Sequence, residues 1–140
     1  TDLLAEAKLS PELRNEALYY RAKAYTKQKA DKKAMEDYRE LAKDTRNSYG
    51  AEAKYQVAQS LYDAKEYAAA EKELLNYIEQ STPHAYWLAR SFVLLSDVYH
   101  ATGKDLDARQ YLLSLQQNYQ GNDDIESMIE SRLSKLKVEN

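Results

Sequence analysis

The feature that most constrains this chain is that it repeats itself. Ala17, Ala53 and Ala89 are spaced by 36 and 36 residues, and Tyr25, Tyr62 and Tyr99 by 37 and 37. The second half of each unit recurs as well. Ala34, Ala70 and Ala108 are followed four residues later by Tyr38, Leu74 and Leu112, and three further on by Leu41, Tyr77 and Leu115. A unit of this length is one supersecondary element that cannot bury its apolar face alone, so neighbouring units must stack to complete a core.

Within each unit the apolar and small residues fall at helical spacing, as in Leu18, Ala22 and Tyr25 or Phe92, Leu95, Ser96 and Tyr99. Alternation at period two is absent. The chain has 3 Gly, 2 Pro and no Cys among 140 residues, too few turn-formers for a hairpin-rich β fold and no disulfide framework. An all-α chain is expected, with helices at 11–28, 31–45, 48–64, 67–80, 83–101, 105–119 and 123–137. Ser10–Pro11 and Thr82–Pro83 read as N-cap residues followed by proline at the first helical position, and Asn47–Ser48 marks another entry. Gly103 supplies one hairpin turn, while the equivalent turns at Lys29 and Lys65 lack glycine. Asp123 and Glu126 are spaced as a capping box for the last helix, whose stripe of Ile125, Met128, Ile129, Leu133 and Leu136 suits a terminal cover. Residues 1–9 read as the tail of a preceding helix. Because the sequence starts at Thr1 without a signal-like apolar stretch, an excised or processed segment is expected.

These residues resemble tetratricopeptide repeats. The first-helix pattern of that family is matched by Leu18, Arg21–Ala22 and Tyr25, by Val57–Ala58 and Leu61, and by Phe92, Leu95–Ser96 and Tyr99; Tyr67 matches its turn tyrosine. Lys54 stands where the family has tryptophan, and Arg21 replaces the usual aliphatic residue. The resemblance implies a single domain: an α-solenoid of antiparallel helix hairpins coiled as a right-handed superhelix. Its three repeats would span residues 11–45, 48–80 and 83–119, with a terminal helix at 123–137. The longer links and the 13 tyrosines are similar to bacterial cell-envelope repeat proteins of the outer-membrane assembly and Tol–Pal coordinator type, which would place the chain on the periplasmic side, with the cytoplasm as the alternative.

Candidate chemistry is sparse. His84 and His100 lie too far apart on one helix for a shared metal, and Asp123–Asp124 lacks the alternating oxygens of a calcium loop. Glu71 and Glu73, like Glu36, Asp37 and Glu40, read as solvated surface carboxylates rather than an acid–base pair. No phosphate-binding glycine loop, nucleophile elbow or zinc-protease motif occurs, so neither an enzyme nor a cofactor is expected. Residues 1–50 carry 11 basic and 9 acidic side chains, and the whole chain has a net charge of −3, which argues against a nucleic-acid surface. Lys27, Lys29, Lys32 and Lys33 have Asp31, Glu36 and Asp37 beside them and read as solvated. No apolar run is long enough to span a bilayer.

What remains is shape. In tetratricopeptide repeats the first helices line a concave face, and the resemblance assigns to it Tyr19, Lys23 and Thr26, then Tyr55, Gln59 and Tyr62, then Val93, Asp97 and His100. Tyr19, Lys23, Tyr55, Gln59, Tyr62, Asp97 and His100 are the expected partner-binding row, with Tyr55 and Tyr62 exposed to anchor a protein or peptide. The alternative is a spacer segment of a longer array with no ligand of its own.

Overall fold

The computed structural model describes residues 10–80 and 83–136. Among them the chain is all-helical, with seven helices: α1 Pro11–Lys27, α2 Asp31–Leu41, α3 Ser48–Asp63, α4 Tyr67–Glu79, α5 Ala85–Ala101, α6 Asp105–Asn118 and α7 Ile125–Leu133. The reading of residues 1–9 as a helix tail lies outside the described residues.

Local chemistry explains most of the ends. The Ser10 hydroxyl accepts from the Leu13 amide at 3.2 Å ahead of Pro11, and the Asn47 side chain accepts from the Gly50 amide at 2.8 Å. Three helices close with the same turn. Lys29, Lys65 and Gly103 adopt φ of 60°, 62° and 79°. The following amides of Ala30, Glu66 and Lys104 donate back to the carbonyls of Tyr25, Leu61 and Tyr99 at 2.8, 2.9 and 2.7 Å. This bond satisfies a carbonyl that the helix end would leave open. Two of the three turns hold lysine in the left-handed region, where glycine would be relaxed.

Other ends differ from expectation. α2 stops at Leu41 because the chain reverses tightly before Asn47, whose side-chain Nδ2 donates to the Asp44 carbonyl at 3.0 Å. α5 begins at Ala85, two residues beyond Pro83, with His84 Nε2 2.7 Å from the Arg46 carbonyl; Thr82 lies outside the described residues. The capping box at α7 does not form. Asp123 instead accepts from the Ile125 amide and the Tyr119 phenol, and Asp124 holds the cap position without a side-chain capping bond, its carboxylate accepting from the Tyr86 phenol at 3.0 Å.

The turn residues also fix the register. A helix tolerates no insertion, so equivalent positions are counted back from Lys29, Lys65 and Gly103, which are 36 and 38 residues apart. On that count Ala22, Ala58 and Ser96 are equivalent, as are Ala34, Ala70 and Ala108, and all six are buried. The counterpart of Ala17 and Ala53 is Ser91 rather than Ala89, and Tyr62 is equivalent to Thr26 and His100 rather than to Tyr25. The even spacings in the sequence therefore mix two registers.

Each helix packs on the next, and the first helices α1, α3, α5 and α7 also pack side by side in that order. The second helices α2, α4 and α6 do not pack on one another. Small side chains at the contacts let the backbones approach, and larger residues fill the space beside them. Leu18, Tyr38, Leu41 and Val57 form the core between α1, α2 and α3, and Leu74, Leu95 and Val98 form that between α4 and α5. Ile125 and Ile129 of α7 cover Leu112 and Leu115 of α6.

Two ion pairs tie hairpin partners together. Arg21 donates to both oxygens of Asp37 at 2.8 and 2.6 Å, and Asp37 is buried, which corrects its reading as a solvated carboxylate. Lys54 reaches Glu73 at 2.7 Å and Asn76 at 2.8 Å. Glu71 accepts from the Tyr99 phenol at 2.8 Å, so neither acid of that pair is simply solvated.

Two close approaches generate a stability prediction. A Cβ on Gly50 would stand 1.8 Å from the Asp44 carbonyl oxygen. Ala58 and Ala70 have no exposed surface. Gly50→Ala, Ala58→Leu and Ala70→Leu should each destabilise by about 1–3 kcal/mol through overpacking, with the exposed control Lys72→Leu near neutral. Chemical denaturation measures all four, and unchanged midpoints for the alanine variants would contradict the register.

Candidate protein-interaction face

The expected partner row lies along the first helices, and its residues are largely engaged with one another. At the α1–α3 junction the Tyr19 ring lies 4.7 Å from the Tyr49 ring, centroid to centroid. The Tyr19 phenol donates to Glu52 at 3.0 Å, and Lys23 Nζ meets the other oxygen of Glu52 at 3.0 Å. The α3–α5 junction repeats the plan: Tyr55 lies 5.5 Å from Trp87, and Arg90 donates to the Tyr55 phenol oxygen at 3.0 Å. The Arg90 guanidinium also covers the Tyr55 ring, 4.8 Å from its centroid, a cation–π contact. Its other nitrogen donates to the Tyr86 phenol oxygen at 3.0 Å.

Tyr19 and Tyr55 are equivalent, as are Tyr49 and Trp87, and Glu52 and Arg90. Ring against ring, with a phenol meeting a charged residue of the next first helix, is thus a repeated junction. The α5–α7 junction uses a charge pair instead. Arg132 donates to Asp97 Oδ1 at 3.0 Å and to Oδ2 at 3.2 Å. Asp97 is equivalent to Lys23, so acid and base have exchanged places relative to Lys23–Glu52.

Burial changes the reading of several candidates. Tyr55, expected to be exposed, is only 5% exposed and belongs to the core, because α5 and its Trp87 lie over the ring. Its phenol still reaches the rim, donating to Gln59 at 2.7 Å while Gln59 donates to Asp63 at 2.9 Å. Val93, assigned to the groove, is buried against α6 and α7. Tyr19 and Gln59 are half-buried and Lys23 is exposed. Thr26 is exposed, with its hydroxyl bonded back to the Ala22 carbonyl.

The structure does bring Tyr62, Asp97 and His100 together. They line a cleft of about 260 Å³ between α3, α5 and α7, closed by Arg132, Lys135 and Leu136. His100 Nδ1 lies 2.9 Å from Asp105, which holds the ring at the edge of the cleft. Burial pushes the Asp97 carboxyl above its usual range, and the hydrogen bonds and charge of Arg132 oppose that shift. The same balance acts on Tyr55, raised by burial and opposed by Arg90.

Sequence reasoning missed Glu52, Arg90, Arg132 and Lys135. The first two carried a signal, since both stand 13 residues before a turn residue and could have been aligned once those turns were placed. Among the described residues, no group of three or more histidines and carboxylates is placed to hold a metal ion, and no helix is long and apolar enough to cross a membrane. No protein-family model matches the chain, and no curated protein matches it in sequence.

The raised carboxyl generates a pH prediction. A carboxyl that holds its proton more tightly when folded stabilises the fold below its ordinary range, and loses that contribution as pH rises through the raised value. Asp97→Asn, which cannot ionise, should therefore gain melting temperature relative to the unsubstituted chain as pH rises from 3.5 to 7, these limits being set roughly around the ordinary aspartate range. Paired thermal melts across that interval check it, and a difference that stays flat or reverses would show that Arg132 outweighs the burial.

Proposed function

We propose that this chain is a non-catalytic interaction module of the tetratricopeptide type. On this reading it is a short α-solenoid of three helix hairpins and a terminal helix, coiled as a right-handed superhelix. It captures a segment of another protein on the face made by α1, α3, α5 and α7. The observation that carries the reading is an asymmetry of packing: the first helices lie side by side, while the backbones of the second helices do not approach one another closely. A stack packed closely along one side and splayed along the other curves toward the packed side, which supports reading the first helices as the inner face.

The face is only partly free. Tyr19, Tyr55 and Asp97 set the spacing of the first helices, and the surface left for a partner centres on Tyr62, His100 and Lys135 around the cleft, with Lys23 and Gln59 farther along. Phenol, imidazole and ammonium groups offer stacking and hydrogen bonding to an extended segment that carries acceptors, such as a peptide backbone with acidic side chains. The cleft is small, so it would take one or two side chains of that segment rather than a separate small molecule.

The test is affinity capture with the intact protein, followed by identification of what is retained and measurement of its affinity. Tyr62→Ala combined with Lys135→Ala should weaken capture about tenfold or more, with a smaller change in melting than in affinity. Leu106→Ala, on the exposed side of α6, should leave binding intact. Full binding by the double variant would move the site off this face.

A further inference from the structure

We infer that the outer face of α1 is the receiving half of a further ring-and-phenol junction, and that a preceding helical hairpin of the same polypeptide covers it. The inference rests on the repeat-array reading but not on partner capture. At both interior junctions the receiving first helix contributes the same positions. Tyr49 and Trp87 meet a tyrosine ring of the preceding first helix, and Glu52 and Arg90 meet that tyrosine's phenol. In α1 the equivalent residues, 16 and 13 positions before the turn residue Lys29, are Leu13 and Glu16.

Exposure separates the three cases. Tyr49 and Trp87 are half-buried, whereas Leu13 is 53% exposed. The side chain of Glu52 keeps only 13% of its exposure, whereas Glu16 is exposed. Four positions beyond Glu16 stands Tyr20, 59% exposed, whose equivalent Leu94 in α5 is 3% exposed within the core. Leu13, Glu16 and Tyr20 fall three to four residues apart and so share one helix face. Of the three large apolar side chains that are exposed among the described residues, two are on this face.

The occupant follows from what the junction requires: a first helix presenting a tyrosine, its ring over Leu13 and its phenol donating to Glu16. A second copy of this chain stacked end to end cannot supply it. The end it would offer is α7, which contains no tyrosine and presents Glu126, Ser127, Glu130 and Ser131 to solvent. The α7 end is finished in polar residues and the α1 end is not. This asymmetry assigns the α1 face to a hairpin of the same type placed before it.

These 140 residues contain no cysteine, so one introduced thiol reports on this face alone in the short chain, and the longer polypeptide is read against its own unsubstituted form. Leu13→Cys and, separately, Tyr20→Cys replace exposed side chains, and melting verifies that each variant keeps the fold. Their reaction with a thiol reagent is timed in this 140-residue chain and in the polypeptide as its gene encodes it, with Lys72→Cys as an exposed control in both. The expected result is reaction at the control rate in the short chain, and a slowing of about tenfold or more at both α1 positions in the gene-encoded polypeptide. Control-rate reaction in both forms would overturn the inference. So would protection in the short chain that grows with its concentration, which would mark a second copy as the occupant. Neither result depends on whether the α3–α5–α7 face captures a partner, so the two proposals fail separately.

Discussion

Two helices approach closely only where the side chains between them are small, and here such residues recur at fixed distances from each hairpin turn. Ala22, Ala58 and Ser96 stand seven residues before the turn residue, and Ala34, Ala70 and Ala108 five after it. Each contact brings one helix against its neighbour, and the leucines and tyrosines beside it complete the core. Everything else about the molecule follows from that spacing. It fixes which faces of α1, α3 and α5 meet, and therefore which polar residues are left to bridge them.

Those bridges are where structure and function compete. A tyrosine on the first-helix face contributes its ring either to a partner or to the next helix. Tyr19 and Tyr55 are committed to Tyr49 and Trp87. Their phenols lie among Glu52 and Arg90, where burial would otherwise cost a hydrogen bond. The charge pairs at the same face, Lys23–Glu52 and Asp97–Arg132, are partly solvated, so they set geometry more than they add stability. The spacing of this face is therefore fixed by its own side chains, and Tyr62, His100 and Lys135 gather at the cleft beside α7.

The all-helical character and the positions of the hairpins could be read from the sequence, because helical periodicity and cap residues such as Ser10 and Asn47 are local signals. Register was less legible. Ala89 and Tyr62 match the repeat by letter, but only the positive-φ turns show that Ser91 and Leu61 take those places. Tyr55 was misread for a different reason. Its exposure depends on Trp87, 32 positions downstream, and no local pattern reports that ring. Asp37 belongs to the same class, since a carboxylate on a charged helix face is buried only because Arg21 crosses from α1. The α7 clamp was hidden because that helix reads as an apolar stripe, and Arg132 lies off the stripe.

In a chain whose helices pack only on near neighbours, stability accumulates from one junction to the next rather than from a single shared core. Among the described residues, α1 packs on α2 and α3 alone, and α7 on α5 and α6 alone, whereas α3 and α5 each have four neighbours. Residue-resolved amide exchange under native conditions measures this directly. The expected result is graded protection, highest in α3, α4 and α5 and falling toward α1, α2 and α7. Equal opening free energies in all seven helices would contradict it, because they would show one indivisible core in place of a stack of junctions.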